Sequence, residues 1–281
     1  MNKINYYHSI IFFNLCIFLS AFDFLRNKDF LIICFFLILS LGISHGALDN
    51  FKGKKLLKIY NCRSESLFYI SYIFVGLLII VLWLLLPKLI LLLFLIVASF
   101  HFGKEDSEFI DNSINSELIY FLKGCVIIIA PLLFHKSETL NIFEYLNFDI
   151  SESILITNNF LWLVLVLSFV ANTIISLNNN FEIKSLLLLD FFSILILNWF
   201  LSPIFAFTIY FCFLHSVRHS IKLSNELNKK SLFDGFREFS VRAMPLTIIT
   251  ALLFVIFLIV LKNYYVLDNA ASKVIFIGLA S

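Results

Sequence analysis

The stretch that decides the fold is SLFYISYIFVGLLIIVLWLLL over residues 66–86, followed by Pro87 and by KLILLLFLIVASFHFG over residues 88–103. The first run contains no charged residue, and a helix needs about 20 apolar residues to cross the hydrocarbon core of a bilayer. Proline marks the point where one helix stops and the next begins. This stretch therefore predicts two membrane-spanning helices joined by a tight connection.

Composition extends this prediction to the whole chain. Of its 281 residues, 60% are hydrophobic and 14% are charged, whereas a soluble domain usually carries about a quarter charged residues. We therefore predict an all-α, polytopic transmembrane helix bundle that forms a single integral membrane domain over residues 1–281. The nine predicted spans are approximately 9–25, 29–48, 66–86, 88–103, 118–134, 155–177, 185–201, 203–221 and 244–262.

The last residues, 274–281, are apolar but too short to span a bilayer. They resemble the beginning of a tenth helix, so we expect the C-terminus of this sequence to be truncated. The alternative is a short tail that packs on the surface of the bundle.

Loop charges predict the orientation. The loops at 49–65 and 222–243 are rich in Lys and Arg, and both follow even-numbered spans. Because basic loops stay on the cytoplasmic side, we place these loops and the N-terminus on the cytoplasmic face of the cell (inner) membrane. No Lys/Arg block is long enough to be a basic arm, so nucleic acid is not an expected partner. The five cysteines form no CxxC pair and predict neither a disulfide framework nor a zinc knuckle.

Four of the six histidines lie at the ends of even-numbered spans. His45 closes span two, His101 closes span four, and His215 and His219 close span eight. The predicted topology therefore brings all four imidazoles to the cytoplasmic face. Imidazole is the commonest metal ligand in proteins, and residues i and i+4 share one face of a helix. A metal site is the leading interpretation, and polar capping of helix ends near the lipid headgroups is the alternative.

Four other ionisable residues in or near the spans receive no role. His135 closes span five and should lie at the opposite face, whereas His8 precedes span one in a polar tail. Lys123 and Asp190 lie inside predicted spans, where they could pair with each other or face water near an end.

The number and type of candidate ligands limit the kinds of metal site that the chain can form. Neutral imidazoles suit Fe(II), Cu or Zn; no H-E-x-x-H string occurs, and a di-iron desaturase needs more histidines than this chain has. A mononuclear site with a lipophilic substrate fits best. Asp49 and Asp106 follow His45 and His101 closely and could accept the second N–H of a ligand histidine. Glu105 is expected simply to begin the following loop.

These motifs resemble the Brp/Blh family of bacterial and archaeal β-carotene 15,15′-dioxygenases. The resemblance rests on HGALD at 45–49, HFG at 101–103 with Asp106, YFCFLHSVRH at 210–219 and VIFIGLA at 274–280. It implies a membrane enzyme that uses Fe²⁺ and O2 to split β-carotene at its central double bond into two molecules of all-trans-retinal. It also implies that His45, His101, His215 and His219 bind the iron, and that the retinal supplies a microbial rhodopsin.

The chain departs from the family pattern in two places. Ser44 stands where the family usually has proline, which should affect the helix end more than the iron. The family also continues into a final helix with a Pro-His pair, which this sequence lacks. Tyr210, roughly one turn before His215, is our candidate for a catalytic residue near the polyene.

Three other functions stay open at this point. A membrane metal or cation transporter could line its pathway with histidines, although its polar groups should then lie at several depths. The chain could instead be another mononuclear-iron membrane oxygenase or desaturase, or a non-catalytic accessory protein of a rhodopsin.

Overall fold

The structure is a computed structural model that describes residues 2–25, 30–42, 46, 48, 53–54, 57–60, 65–110, 116–148, 156–177 and 179–280. Within these ranges the regular structure is entirely helical, without a strand. The all-α prediction is confirmed. The helices used below are α1 Asn2–Ser20, α2 Leu31–Gly42, α3 Glu65–Leu85, α4 Pro87–Glu105, α5 Glu117–Phe134, α6 Lys136–Tyr145, α7 Asn158–Ser176, α8 Phe181–Phe200, α9 Pro203–Leu227, α10 Leu232–Lys262 and α11 Leu267–Ala280.

Seven of the described helices are long and apolar enough to cross a membrane, namely α3, α4, α5, α7, α8, α9 and α10. The first two predicted spans correspond to α1 and α2, which do not meet that standard. α1 begins with polar residues, and α2 covers only 31–42 within the predicted span 29–48. The predicted total of nine spans is therefore not confirmed.

The outer surface of the bundle is apolar, as contact with lipid requires. α3 and α10 bury few of their residues inside the protein. Their outward side chains include Leu84, Leu85, Ile256 and Ile259, all of which are exposed. Apolar chains on this scale would be unfavourable in water and are stable against acyl chains.

α10 begins at Leu232, twelve residues before the predicted start of span nine at 244. The polar sequence of these turns resembled a loop, but Ser231 caps the helix by accepting the backbone N–H of Asp234. A side chain at Gly235 would clash with the backbone oxygen of Ser224 on α9. The polar turns are therefore held as helix by a cap and by close packing on α9.

Glycines bring α4 and α5 into backbone contact. A Cβ atom at Gly103 would clash with the backbone oxygen of Tyr120, and one at Gly124 would clash with that of Ser99. These two contacts also show that the helices run antiparallel, because the later residue of α5 meets the earlier residue of α4. Small residues commonly permit such close approach between membrane helices.

The C-terminal segment is helical and packs against the core. The apolar run predicted at 274–281 belongs to α11, which begins at Leu267. Ala270, Ala271 and Ile275 are all buried. Val274 is also buried, and residues 276–280 are half-buried against the core.

A buried ion pair joins α8 to α9. The guanidinium of Arg218 donates to the Asp190 carboxylate at 2.7 and 3.1 Å, and Ser9 of α1 bonds to both groups at 2.8 Å. The sequence left two environments open for Asp190, namely a pair with Lys123 or water near a helix end. In the structure Asp190 pairs with Arg218 instead. Both members of the pair are buried, so the network fixes three helices relative to one another.

His8 lies within α1 and not in a polar tail. Its Nε2 atom is 2.8 Å from the backbone oxygen of Phe213 in α9. The sequence prediction was wrong here because α1 begins at Asn2, seven residues before the predicted span.

Candidate metal site and apolar cavity

Three of the four candidate histidines come together. His101 lies in the last turn of α4, and His215 and His219 lie one turn apart in α9. The ring centres of His101 and His215 are 5.3 Å apart. His215 and His219 are buried, whereas the His101 side chain remains partly exposed.

Glu105 lies at the centre of these histidines. Its Oε2 atom is 3.0 Å from Nδ1 of His219, 3.7 Å from Nε2 of His101 and 3.9 Å from Nε2 of His215. The expectation that Glu105 begins a loop was wrong, because it is the last residue of α4. A signal for it was present in the sequence: Glu105 follows His101 at the same i, i+4 spacing that joins His215 to His219.

This donor set fits a metal ion. Ligand atoms of His101, Glu105 and His215 all lie within 4.8 Å of one another. Two imidazoles and a carboxylate with open positions are typical of non-haem Fe(II) sites that react with O2. The geometry and the donor types therefore allow a single divalent transition metal at this point.

Asp106 contacts the ring nitrogen of His215 that is not directed toward Glu105. Its Oδ1 atom is 2.8 Å from Nδ1 of His215, and its Oδ2 atom accepts the hydroxyl of Tyr210 at 2.6 Å. Burial opposes ionisation of Asp106, yet His215, Lys123 and Arg218 together hold the pKa of its carboxyl below the usual range. An ionised Asp106 accepts the N–H at Nδ1 of His215 and leaves Nε2 directed toward Glu105.

Tyr210 is buried on the Asp106 side of the site. Its hydroxyl donates to Asp106, and its ring packs edge-on against Phe102 at 5.5 Å. Phe102 lines the large cavity described below, whereas Tyr210 is not among the lining residues. The contacts described thus connect Tyr210 to the cavity through Phe102 and to His215 through Asp106.

A π-helical segment, Tyr210–His215, interrupts α9 immediately before the two histidines. Such segments are rare and are frequently found at functional sites. One backbone carbonyl of the segment, that of Phe213, receives the hydrogen bond from His8. α1 therefore contacts the segment that orients His215.

An apolar cavity of about 550 Å³ reaches His101, which is one of its lining residues. Its walls come from α2 to α6 and from α9 to α11, and aromatic residues such as Phe94, Phe207 and Phe276 line it. Ligand cavities commonly have volumes of roughly 300–1,000 Å³ and mostly apolar walls. The cavity can therefore hold a hydrocarbon ligand beside the histidine cluster.

A second, much smaller cavity of about 20 Å³ lies on the polar side of the cluster. Glu105, His215, His219 and Asn5 of α1 all line it. Its size suits one water molecule with several polar partners. The cluster thus has an apolar side and a polar side.

The remaining predicted residues lie elsewhere. His45 and Asp49 fall outside the described residues, although Gly46 lines the large cavity. His135 follows Gly124 by eleven residues on α5, about 16 Å along the helix at 1.5 Å per residue. Since Gly124 contacts α4 near His101, His135 is set apart from the cluster, at the end of α5 away from Gly124.

Fold and site together define a helical membrane protein with a histidine–carboxylate cluster beside an apolar cavity. The chain belongs to the β-carotene 15,15′-dioxygenase family, whose family model matches residues 36–281. This confirms the resemblance found in the sequence motifs and makes the chain a member of an enzyme family. It is also similar to a β-carotene 15,15′-dioxygenase of the uncultured marine bacterium 66A03, with 25% identity over 257 residues and 87% of each protein covered. No solved structure shows significant similarity to the chain.

Proposed function

We propose that the protein cleaves the central 15,15′ double bond of β-carotene with O2 and forms two molecules of all-trans-retinal. The carbon–carbon double bond breaks, and each of its carbons receives one oxygen atom of O2 as an aldehyde. The observation that carries this proposal is the histidine–carboxylate cluster beside an apolar cavity, in a chain of this family.

The cofactor of this proposal is Fe²⁺. His101, His215 and Glu105 would hold it, because their ligand atoms already converge. His219, which contacts Glu105, and His45 belong to the ligand set that the family resemblance implies. When bound, iron would supply the redox chemistry that allows O2 to react with an alkene.

The surrounding residues orient these donors. Asp106 fixes the tautomer of His215 by accepting the N–H at Nδ1, and Tyr210 fixes Asp106 by donating its hydroxyl. Partners of this kind typically contribute 10- to 100-fold to metal affinity or activity. Asp49 is proposed for the same role beside His45. The contacts of Tyr210 favour this indirect action, and its proposed direct role near the polyene needs the separate test given in the Discussion.

The apolar cavity would bind the polyene and exclude water from the reacting bond. His101 is the member of the cluster that lines it, so a substrate lying in the cavity would bring a bond next to that imidazole. Its stacked rings, such as Phe207 and Phe211 at 5.4 Å, offer flat faces to a planar conjugated chain.

The membrane setting completes the proposal. The exposed apolar helices suit a lipid bilayer, here the cell (inner) membrane, with the N-terminus and the metal site toward the cytoplasm. β-Carotene would enter from the bilayer, and the retinal product would serve a microbial rhodopsin.

The test is expression of the chain in cells that make β-carotene. We expect the pigment to bleach and retinal to accumulate. The products should contain no apocarotenal that is longer than retinal. Retention of β-carotene by membrane-inserted protein with iron bound would overturn the proposal. A mixture of unequal fragments would retain oxidative cleavage but reject the central position.

A further inference from the structure

The small polar cavity connects the histidine–carboxylate cluster to an exposed ion pair. Most of its lining residues are buried, among them His215, His219 and Asn5. Glu108 and Lys222 also line it, and their side chains are 45% and 28% exposed. The ammonium of Lys222 forms a salt bridge with Oε2 of Glu108. The cavity therefore leads from the buried cluster to two opposite charges at the protein surface.

This ion pair lies one step beyond the cluster on both of the chain segments that form it. Glu105 contacts His219 at 3.0 Å, and three residues further along each segment Glu108 contacts Lys222. The backbone N–H of Glu108 donates to the backbone oxygen of Glu105 at 3.3 Å, which closes the turn between them. Side chains three residues apart in such a turn lie on one side of it. The two carboxylates thus follow each other from the surface to the cluster.

A divalent cation needs polar ligands along its whole route, because its transfer into apolar surroundings without ligands is strongly unfavourable. The large cavity also reaches the cluster, at His101, but its walls are mostly apolar. The small cavity is lined by carboxylates and imidazoles instead, and its volume of about 20 Å³ holds one particle the size of a water molecule. An ion that has exchanged most of its water for protein ligands fits this space.

We propose that Glu108 is the entry site for the divalent metal ion that occupies the histidine–carboxylate cluster. Glu108 binds the hydrated ion in exchange for Lys222, because two positive charges attract the carboxylate more strongly than one. Glu105 then takes over the ion, and Lys222 returns to Glu108 and closes the exposed side of the cavity. This inference rests on the proposed function for the presence of a metal in the cluster, whereas entry itself involves no carotenoid.

The test measures the rates at which metal-free protein in detergent, under argon, takes up and releases Co²⁺. The visible absorption of bound Co²⁺ reports uptake, and a chelator in excess starts release. Glu108→Gln keeps the size of the side chain but removes its charge. We expect uptake to slow about tenfold. Release should slow by a similar factor, because a change confined to the route acts on both directions, so Kd should stay within about threefold.

Lys222→Met should have the opposite effect. It removes the cation that competes for Glu108, so uptake and release of Co²⁺ should both become several-fold faster. A folding defect would not accelerate uptake at an unchanged Kd, so this variant separates a role in entry from a loss of structure. The matched controls are Glu238→Gln and Arg242→Met, which change an exposed ion pair on α10 and should leave both rates unaltered.

Three results would overturn the entry site. They are unchanged rates in Glu108→Gln and Lys222→Met, equal changes in the two controls, and faster release of Co²⁺ from Glu108→Gln, which would make Glu108 a ligand of the bound ion. Failure of the proposed function is seen separately. Protein that shows the expected rates but leaves β-carotene intact retains the entry site and loses the activity, whereas protein that binds no Co²⁺ loses the entry site together with the metal site.

Discussion

Glu105 is the residue on which three imidazoles converge, and its charge should decide how tightly the site holds a metal. Glu105→Gln keeps the size of the side chain but removes the anionic oxygen that lies within 4 Å of all three rings. We expect iron affinity to fall about 10- to 100-fold. The measurement is iron bound per protein during titration with a chelator. Glu238→Gln, an exposed change on α10, is the matched control. Unaltered iron affinity in Glu105→Gln would remove Glu105 from the site.

Tyr210 allows a direct and an indirect role to be told apart. If it acts through Asp106, Tyr210→Phe should lower kcat only about tenfold or less, the effect of one lost hydrogen bond, whereas Asp106→Asn should lower both iron affinity and kcat. Iron content and single-turnover rates measure the two effects. A Tyr210→Phe variant that retains full iron but loses kcat by several orders of magnitude would instead support the catalytic role predicted from sequence.

For individual residues, the sequence predicted which side chains belong to the site better than it predicted which residues they contact. His101, His215 and His219 were recognisable because few histidines occur and each ends an apolar run. Asp106 was paired with His101 in the sequence, whereas it contacts His215, 109 positions away. No spacing rule predicts a contact between two helices so distant in the chain. Glu105 was missed because its polar neighbours resemble the start of a loop.

Helix α1 contributes more to the site than its position in the chain suggests. The family match begins at residue 36, yet α1 places Asn5 in the small polar cavity and His8 on the π-helical segment. We expect His8→Ala to leave the carbonyl of Phe213 without this partner and to lower iron affinity several-fold. His135→Ala, a histidine remote from the cluster, is the matched control. Iron affinity should recover in part in His8→Gln, which retains a donor; equal loss in both His8 variants would point to a packing defect.

The elements themselves were largely predictable where hydropathy is uniform. Spans three to eight correspond to α3, α4, α5, α7, α8 and α9. Most of the predicted ends agree with those of the helices within a few residues. The start of α10 was missed because a capped, polar helix has the composition of a loop. The π-helical segment was also missed, since its apolar sequence, YFCFLH, does not differ from that of an ordinary helix.

For the molecule as a whole, the separation of an apolar cavity from a polar cluster distinguishes an enzyme from a transporter. A transport pathway needs polar groups at several depths, whereas the walls of the large cavity are mostly apolar. We expect one tightly held iron per chain, lost on chelation together with activity and restored by Fe²⁺. Elemental analysis of purified protein before and after chelation measures this. Several weakly held ions, or uptake of metal into vesicles, would favour the transporter.

The π-helical segment lets α9 contain one residue more than a regular helix while its histidines still face the site. A π turn contains one residue more than the α turn it replaces. Deletion of one residue between Tyr210 and His215 would therefore restore regular α geometry and leave His219 facing Glu105 and Arg218 facing Asp190. The same deletion in a regular turn of α9 would rotate the rest of the helix by about 100° and turn both residues away from their partners. The π turn thus marks the one place in α9 where the gain or loss of a single codon can leave the metal site in place.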